Sequence, residues 1–153
     1  NQGAFGSLLA IVNTSSEVGY GNVIKTLGAF ALVKTAILAI PGTPLISLAV
    51  STSVLAGITG SASGGMSIAL GALGDIYMQK ALALGIDPAA FHRIAAMACG
   101  GLDSLPHNGA VITLLGICGL SHRESYADIG MCTVVIPIIA TAIAIVFATM
   151  GVV

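Results

Sequence analysis

The chain has 153 residues, of which 56% are hydrophobic and 7% are charged, and its mean hydropathy is +1.04. A soluble domain carries about a quarter charged residues, so five Lys+Arg and six Asp+Glu are too few to cover a water-facing surface. We therefore predict an all-α integral membrane protein whose apolar groups face a lipid bilayer. The net charge of −1, without a basic run, excludes nucleic acid as a partner.

The first predicted segment, residues 1–44, combines the end of a scaffold helix with a separate arm. Apolar residues 1–12 form the helix end, and polar residues 13–17 are expected to break it. Residues 23–40 are apolar with two lysines. They either span the bilayer, at ~1.5 Å per residue, or lie at the interface with the lysines reaching head groups. Two prolines in residues 41–44 end the arm.

Residues 45–84 are predicted to form a re-entrant helical hairpin. Its two apolar arms surround a Gly/Ser-rich tip at residues 59–65, and the first arm is too short to cross a bilayer comfortably. Non-helical backbone at membrane depth persists only where protein or a water-filled cavity satisfies its polar groups. The alternative is an ordinary pair of spanning helices with the Gly/Ser stretch at the surface.

Residues 85–120 are predicted to form a broken transmembrane helix. Asp87 and Pro88 are typical of a helix start. Residues 100–109 then interrupt the helix with a polar, Gly/Pro-rich stretch, before apolar residues resume at residues 110–120. A break of this kind exposes helix ends, whose free N–H or C=O groups can hold an ion or substrate.

The last predicted element, residues 121–153, is a terminal transmembrane helix. Ser121 and Glu124 have the spacing of a capping box, residues 129–153 are long enough to cross a bilayer, and Pro137 is expected to kink the helix. The chain ends inside this apolar run, so we expect it to be an excerpt from the C-terminal part of a longer carrier.

The predicted break brings together four polar residues, Asp103, Ser104, His107 and Asn108. Ionisable groups at membrane depth usually mark a pathway or a proton relay. We expect Asp103 and His107 to exchange a proton, while Ser104 and Asn108 bind substrate. In the structural alternative, Asp103 caps the following half-helix and His107 bonds to a carbonyl.

The predicted tip offers a second set of binding groups. Thr59, Ser61, Ser63 and Gly64 supply hydroxyl and N–H groups that can hold a carboxylate without arginine. Close packing of the tip is the alternative. The hydroxyls of residues 51–53 are expected to bond to their own helix turn.

The remaining charged and metal-ligating residues are expected to be structural. The charged residues are interpreted as solvated helix ends, and His122 is grouped with them. The three cysteines have the spacing of neither a metal site nor a disulfide framework, and no cofactor is expected. The residues in question are Asp75, Lys80, Asp87, His92, Arg93, Arg123, Glu124 and Asp128, with cysteines Cys99, Cys118 and Cys132.

Three stretches of the chain resemble the gluconate permease family: residues 57–68 (GITGSASGGMSI), 103–115 (DSLPHNGAVITLL) and 119–126 (GLSHRESY). The chain is most similar to the short-chain hydroxy-acid branch of that family, of the 3-hydroxybutyrate permease kind. The resemblance implies a multi-pass carrier of the bacterial cytoplasmic (inner) membrane, built from two inverted halves, and proton-coupled in its best-known members. This chain would be the C-terminal half.

By that resemblance, Ser61 and Ser63 lie at the hairpin tip, with Asp103, His107 and Asn108 at the helix break. Gluconate-type members carry a different polar stretch at the break and lack this Pro-His-Asn, so a smaller monocarboxylate than gluconate is the expected substrate. The expected partners are a small carboxylate, the lipid bilayer, the missing N-terminal half and a second copy forming a homodimer.

The resulting hypothesis is a secondary active transporter, a symporter of a small organic acid such as gluconate or 3-hydroxybutyrate. Protons are the expected coupling ion, with sodium as the alternative. Two other classes remain open: an intramembrane serine protease with Ser63 as nucleophile and His107 as base, and a passive channel.

Overall fold

The computed structural model describes residues 2–152, with the side chains of only some positions in the first helix. Asn1 and Val153, the ends of the two predicted terminal segments, lie outside the described residues. Every regular element of the described part is helical, which confirms the all-α fold class. The helices are α1 (Gln2–Thr26), α2 (Gly28–Leu38), α3 (Pro44–Thr59), α4 (Ala62–Leu84), α5 (Pro88–Ala98), α6 (Gly109–Cys118), α7 (His122–Gly130) and α8 (Ile136–Thr149).

The predicted break at residues 13–17 is wrong, because α1 continues through it to Thr26. Ser, Thr and Asn cost only about 0.5 kcal/mol each in a helix interior, and the stretch contains no proline. The chain instead leaves the helix at Leu27, so residues 23–40 are divided between α1 and α2. The Lys25 side chain is outside the described residues, and its placement at head groups stays a prediction.

Helices α3 and α4 form a closely packed helical hairpin. A Cβ atom added at Gly65 would lie 2.1 Å from the Ala56 backbone nitrogen, so the two backbones are nearly in contact at that point. The turn between the helices consists of Gly60 and Ser61 alone, which we call the tip. The seven-residue tip predicted at residues 59–65 is therefore too wide.

The core forms between α3, α4 and α5, with single contributions from α2 and α8. Its buried side chains include Leu45, Leu48, Leu73, Tyr77 and Ile94. Ser47 also lies in this core, where its hydroxyl donates to the Ile37 carbonyl (3.0 Å) and lies 2.9 Å from the Tyr77 hydroxyl. The end of α2 is thereby fastened to the hairpin by hydrogen bonds as well as by packing.

A non-helical stretch, residues 99–108, joins α5 to α6, and we call it the connection. The start of α5 is confirmed, because the Asp87 carboxylate accepts the Ala89 N–H at 2.8 Å. The connection begins and ends one residue earlier than the predicted break at 100–109. Helix α6 begins at Gly109 because Asn108 caps it, with its side-chain oxygen 2.9 Å from the Val111 nitrogen.

The last helix runs without interruption from His122 to Thr149, 28 residues. Among the described residues, it alone is both long and apolar enough to cross a membrane. A π-helical turn at Met131–Val135 precedes Pro137, and the kink expected at Pro137 stays a prediction. Proline has no N–H to donate to the carbonyl four residues earlier, and the wider turn makes room for its ring.

Candidate functional site

The tip is held in shape mainly by its own backbone. Gly60 has a φ of 63°, a left-handed conformation that ends α3 and favours glycine. The Ser61 nitrogen donates to the Ala56 carbonyl at 3.1 Å, and the Ser61 hydroxyl accepts the Gly64 N–H at 3.2 Å. Ser61 therefore caps α4, and the two helices reverse direction within two residues.

The hydroxyl groups near the tip differ in their exposure and in the hydrogen bonds that they already make. Thr59 is buried, and its Oγ1 lies 2.8 Å from the Leu55 carbonyl oxygen, so its proton is used within α3. Ser61 is also buried and serves as the cap. Ser63 is exposed and touches the Ser61 hydroxyl at 3.4 Å. Of these three predicted binding residues, Ser63 has the hydroxyl that is most open to an external partner.

Asn108 joins the connection to the tip. Its side-chain amide donates to the Gly60 carbonyl and to the Asp103 carbonyl, both at 2.6 Å. Its side-chain oxygen caps α6 through Val111. Asn108 is only 5% exposed, so its hydrogen-bonding groups are used almost entirely inside the protein.

His107 makes a second contact between the connection and the hairpin. Its Nε2 lies 2.8 Å from the Gly57 carbonyl oxygen. Because a carbonyl oxygen only accepts, Nε2 carries the hydrogen in this contact. Gly57 allows the close approach, since a Cβ there would lie 3.1 Å from the Leu102 Cβ. His107 and Asn108 thus both join the connection to the hairpin.

Asp103 and Ser104 lie in the same connection, partly buried. The Ser104 hydroxyl donates to the Asp103 carboxylate at 3.0 Å. This bond commits the Ser104 proton to its neighbour, and the substrate-binding role of Ser104 stays a prediction.

Two helix N-termini come together where the connection meets the tip. Helix α4 begins directly after Ser61, and α6 begins directly after Asn108, whose side chain contacts the Gly60 carbonyl. The first N–H groups of a helix have no acceptor in their own helix, and a helix N-terminus carries partial positive charge. With the Ser63 hydroxyl beside them, these N–H groups suit a small anion such as a carboxylate.

Helix α7 contacts the opposite side of the connection, which the sequence did not reveal. The Tyr126 hydroxyl donates to the Ser104 carbonyl at 3.1 Å, and His122 Nε2 lies 2.9 Å from the Pro106 carbonyl oxygen. His122 is thus partly buried and hydrogen-bonded, not a solvated helix-end residue as predicted. The sequence signal for this contact is the spacing of His122 and Tyr126, which places both rings on one face of a helix.

The predicted capping box at the start of α7 is confirmed. The Glu124 carboxylate accepts from both the Ser121 N–H (2.8 Å) and the Ser121 hydroxyl (2.6 Å). The prediction for residues 51–53 is only partly confirmed. Ser51 and Thr52 bond to the Leu48 carbonyl, but Ser53 donates across to the Ala98 carbonyl at 2.6 Å. Ser53 thereby fastens the end of α5, where the connection starts, to α3.

Among the described residues, neither a serine–histidine catalytic pair nor a metal site is formed near the tip and the connection. Ser63 and His107 share no hydrogen bond there: Ser63 Oγ lies 3.4 Å from Ser61 Oγ, and His107 Nε2 lies 2.8 Å from the Gly57 carbonyl oxygen. No group of three or more His, Cys, Asp or Glu side chains in the described part is arranged to hold a metal ion. Cys99 is buried, Cys118 and Cys132 are exposed, and all three are free thiols.

The described residues form an all-helical protein with many exposed apolar side chains, in which the connection meets the tip through Asn108. The chain is 46% identical over all 153 residues to a Bacillus subtilis (strain 168) protein named "Uncharacterized transporter YxjC". It spans 32% of that relative's length. No family model matches the chain, and no solved structure matches it.

Proposed function

We propose that this chain is part of a secondary active transporter, a symporter of a small organic acid in the bacterial cytoplasmic membrane. The observation that carries the proposal is the contact between Asn108 and Gly60. That contact joins the turn before α4, whose first turn carries the exposed Ser63, to the start of α6 and to the connection that carries Asp103 and His107. The name of the Bacillus subtilis relative and the resemblance to the gluconate permease family support the same class.

The substrate's carboxylate binds at the helix N-termini. Ser63 donates its hydroxyl, and the first N–H groups of α4 and α6 supply the remaining donors. Thr59, Ser61, Gly64, Ser104 and Asn108 shape the site, because their side chains or N–H groups already bond within the protein. Partial charges of helix ends balance one negative charge better than two, so the substrate is a small monocarboxylate of the 3-hydroxybutyrate kind.

Asp103 and His107 carry or sense the coupling proton. When His107 Nε2 donates to the Gly57 carbonyl, Nδ1 is the nitrogen that takes up a proton. The protonated ring keeps the Gly57 bond, since both nitrogens are then donors. Protonation therefore adds positive charge beside the bound anion without breaking the contact between the connection and the hairpin.

The hairpin and the connection lie at membrane depth, with α3 and α4 as re-entrant arms. Helices α2, α3 and α6 are apolar but have only 11, 16 and 10 residues, whereas a helix needs about 20 to cross. Short apolar helices that end in a polar site are how many carriers build a binding site near the midplane. Alternating access then moves this unit against the rest of the carrier.

The proposal is tested by uptake of labelled 3-hydroxybutyrate into proteoliposomes that hold the full-length protein. We expect saturable uptake that rises when an inward proton gradient is imposed. In Asp103→Asn and His107→Gln, gradient-driven uptake falls by at least about tenfold, while exchange of internal for external substrate persists. The matched controls are Asp75→Asn and His92→Gln, both at exposed positions of the helices, and they keep wild-type uptake.

Four outcomes would contradict the proposal. Full gradient-driven uptake in both site variants would remove the proton role from Asp103 and His107. Uptake that depends on a sodium gradient alone would mean that sodium, and not the proton, is the coupling ion. Flux that does not saturate would indicate a channel. No uptake of 3-hydroxybutyrate, gluconate or lactate would contradict the substrate class.

A further inference from the structure

Two sets of hydrogen bonds hold the connection in place, and the proposed transport function uses only one of them. On the hairpin side, His107 and Asn108 bond to the carbonyls of Gly57 and Gly60. On the other side, Tyr126 and His122 bond to the carbonyls of Ser104 and Pro106. Those two carbonyls lie between Asp103 and His107 in the chain, so the second pair of bonds fixes the backbone that carries both titratable groups.

His122 and Tyr126 are suited to act as a unit. They are one helical turn apart, and their ring centroids lie 6.2 Å apart with the planes inclined by 38°. The Ser121–Glu124 capping box fixes the first turn of α7, and His122 follows the cap directly. Both donors therefore reach the connection from one face of a helix whose start is held rigidly.

We propose that His122 and Tyr126 are positioning residues for the transport site, a clasp that keeps the connection in its substrate-binding shape. The inference rests on the proposed function, and it adds two residues from outside the hairpin and the connection. The clasp works through hydrogen bonds to backbone carbonyls, so it needs a donor at position 122 rather than a titrating group. Neutral imidazole with a hydrogen on Nε2 and protonated imidazole both provide that donor.

The surroundings of α7 allow the two hydrogen bonds of the clasp to break. No residue of α7 is buried in the described structure, so little apolar packing holds this helix against the connection. The π-turn at Met131–Val135 separates α7 from α8, whose Ala148 belongs to the core. Departures from α-helical geometry of this kind are places where a helix bends. A bend of α7 away from the connection would therefore be centred on the π-turn.

The first test measures hydrogen exchange across residues 99–109 of the full-length protein in detergent. We expect His122→Ala and Tyr126→Phe to exchange about fivefold faster there, the effect of one lost hydrogen bond on a locally opening segment. His122→Gln restores a donor and returns exchange close to wild type. Arg123→Ala, an exposed substitution in the same helix, is the matched control and leaves exchange unchanged.

The second test measures uptake kinetics of the same variants. A connection that is ordered less of the time lowers the apparent affinity. We therefore expect KM to rise about fivefold in His122→Ala and Tyr126→Phe, with the pH profile of wild type and recovery in His122→Gln. Tyr126→Phe removes a single oxygen, so its folding is not in question.

Unchanged exchange in both His122→Ala and Tyr126→Phe would overturn the clasp. So would a changed pH profile in His122→Ala that His122→Gln fails to restore, since this would make His122 a proton carrier. The exchange experiment does not depend on transport. If the wild-type protein takes up no organic acid, the proposed function fails while faster exchange still supports the clasp.

Discussion

The tip and the connection meet at the candidate site, but different parts of the chain hold them in place. The tip has two residues, a left-handed Gly60 and a self-capping Ser61, and apart from the bond that the Gly60 carbonyl accepts from Asn108 its hydrogen bonds stay within residues 56–65. The connection has ten residues. It is held by side chains that reach across the fold, including Asn108 toward the tip and Tyr126 from α7.

This difference predicts where each region is sensitive to substitution. The hairpin that carries the tip depends on the absence of a side chain at Gly65, because α3 and α4 approach closely there. The connection depends on particular donors, since removing one leaves a carbonyl without its partner. Substitutions that add atoms should therefore damage the hairpin, and substitutions that remove donors should damage the connection.

Gly65→Ala should have the largest effect. The new Cβ would lie 2.1 Å and 2.2 Å from backbone atoms of Ala56, which cannot rotate away as a side chain can. We expect a loss of more than about 3 kcal/mol of stability, beyond the usual cost of overpacking. Thermal unfolding of the purified full-length protein, followed by circular dichroism, measures it.

The control for Gly65→Ala is Gly74→Ala in the same helix, where a Cβ meets nothing within 4 Å. Alanine there should stabilise the helix by about 0.5–1 kcal/mol. Equal unfolding midpoints for the two variants would show that the two helices are not packed as described.

Asn108→Ala should have the next largest effect. It removes the cap of α6 and two donors to the Gly60 and Asp103 carbonyls. A lost cap costs about 1 kcal/mol and an unsatisfied buried carbonyl about 1–3 kcal/mol, so we expect a total near ~3 kcal/mol in the same unfolding assay.

Asn108→Ser sharpens this prediction by separating the two roles of the side chain. Serine keeps an N-cap oxygen but does not reach both carbonyls, so its loss should be about half that of alanine. A serine variant as unstable as the alanine variant would assign the whole effect to the contact between the tip and the connection. A serine variant as stable as wild type would mean that this contact contributes nothing.

Ser53→Ala should have the smallest effect. It removes one bond, from the Ser53 hydroxyl to the Ala98 carbonyl at 2.6 Å, at the point where α5 ends. A net loss of about 1 kcal/mol is expected for one such hydrogen bond. The exposed Ser67→Ala in α4 is the control and should leave the unfolding midpoint unchanged. The account of Ser53 would be wrong if the two variants behaved alike.

The features that could be predicted from the sequence are those with local causes. Asp87 before Pro88 marked the start of α5, and Ser121 with Glu124 marked the start of α7, because a cap is decided within four residues. The Gly/Ser stretch marked the hairpin turn but not its width. Helix α4 begins at Ala62, since Ser61 itself supplies the cap.

The features that could not be predicted depend on residues far apart in the chain. Ser53 bonds 45 residues ahead, and Tyr126 and His122 bond 22 and 16 residues back. Local spacing does not encode such partners. The charged neighbours of His122 in the sequence therefore predict only a solvated helix end. The polar run at residues 13–17 shows the reverse error, because polar residues alone do not end a helix and the run contains no proline.

The contact of one substrate carboxylate with the first turns of both α4 and α6 is central to the proposed function. It is tested most directly by thiol labelling of Ser63→Cys and Ala110→Cys, both exposed positions, in full-length protein whose native cysteines are replaced by serine. With 3-hydroxybutyrate at about ten times its Kd, labelling of both should slow about tenfold, while Ala83→Cys at the far end of α4 keeps its rate. Protection of only one site, or of neither, in protein that still takes up 3-hydroxybutyrate would contradict the account.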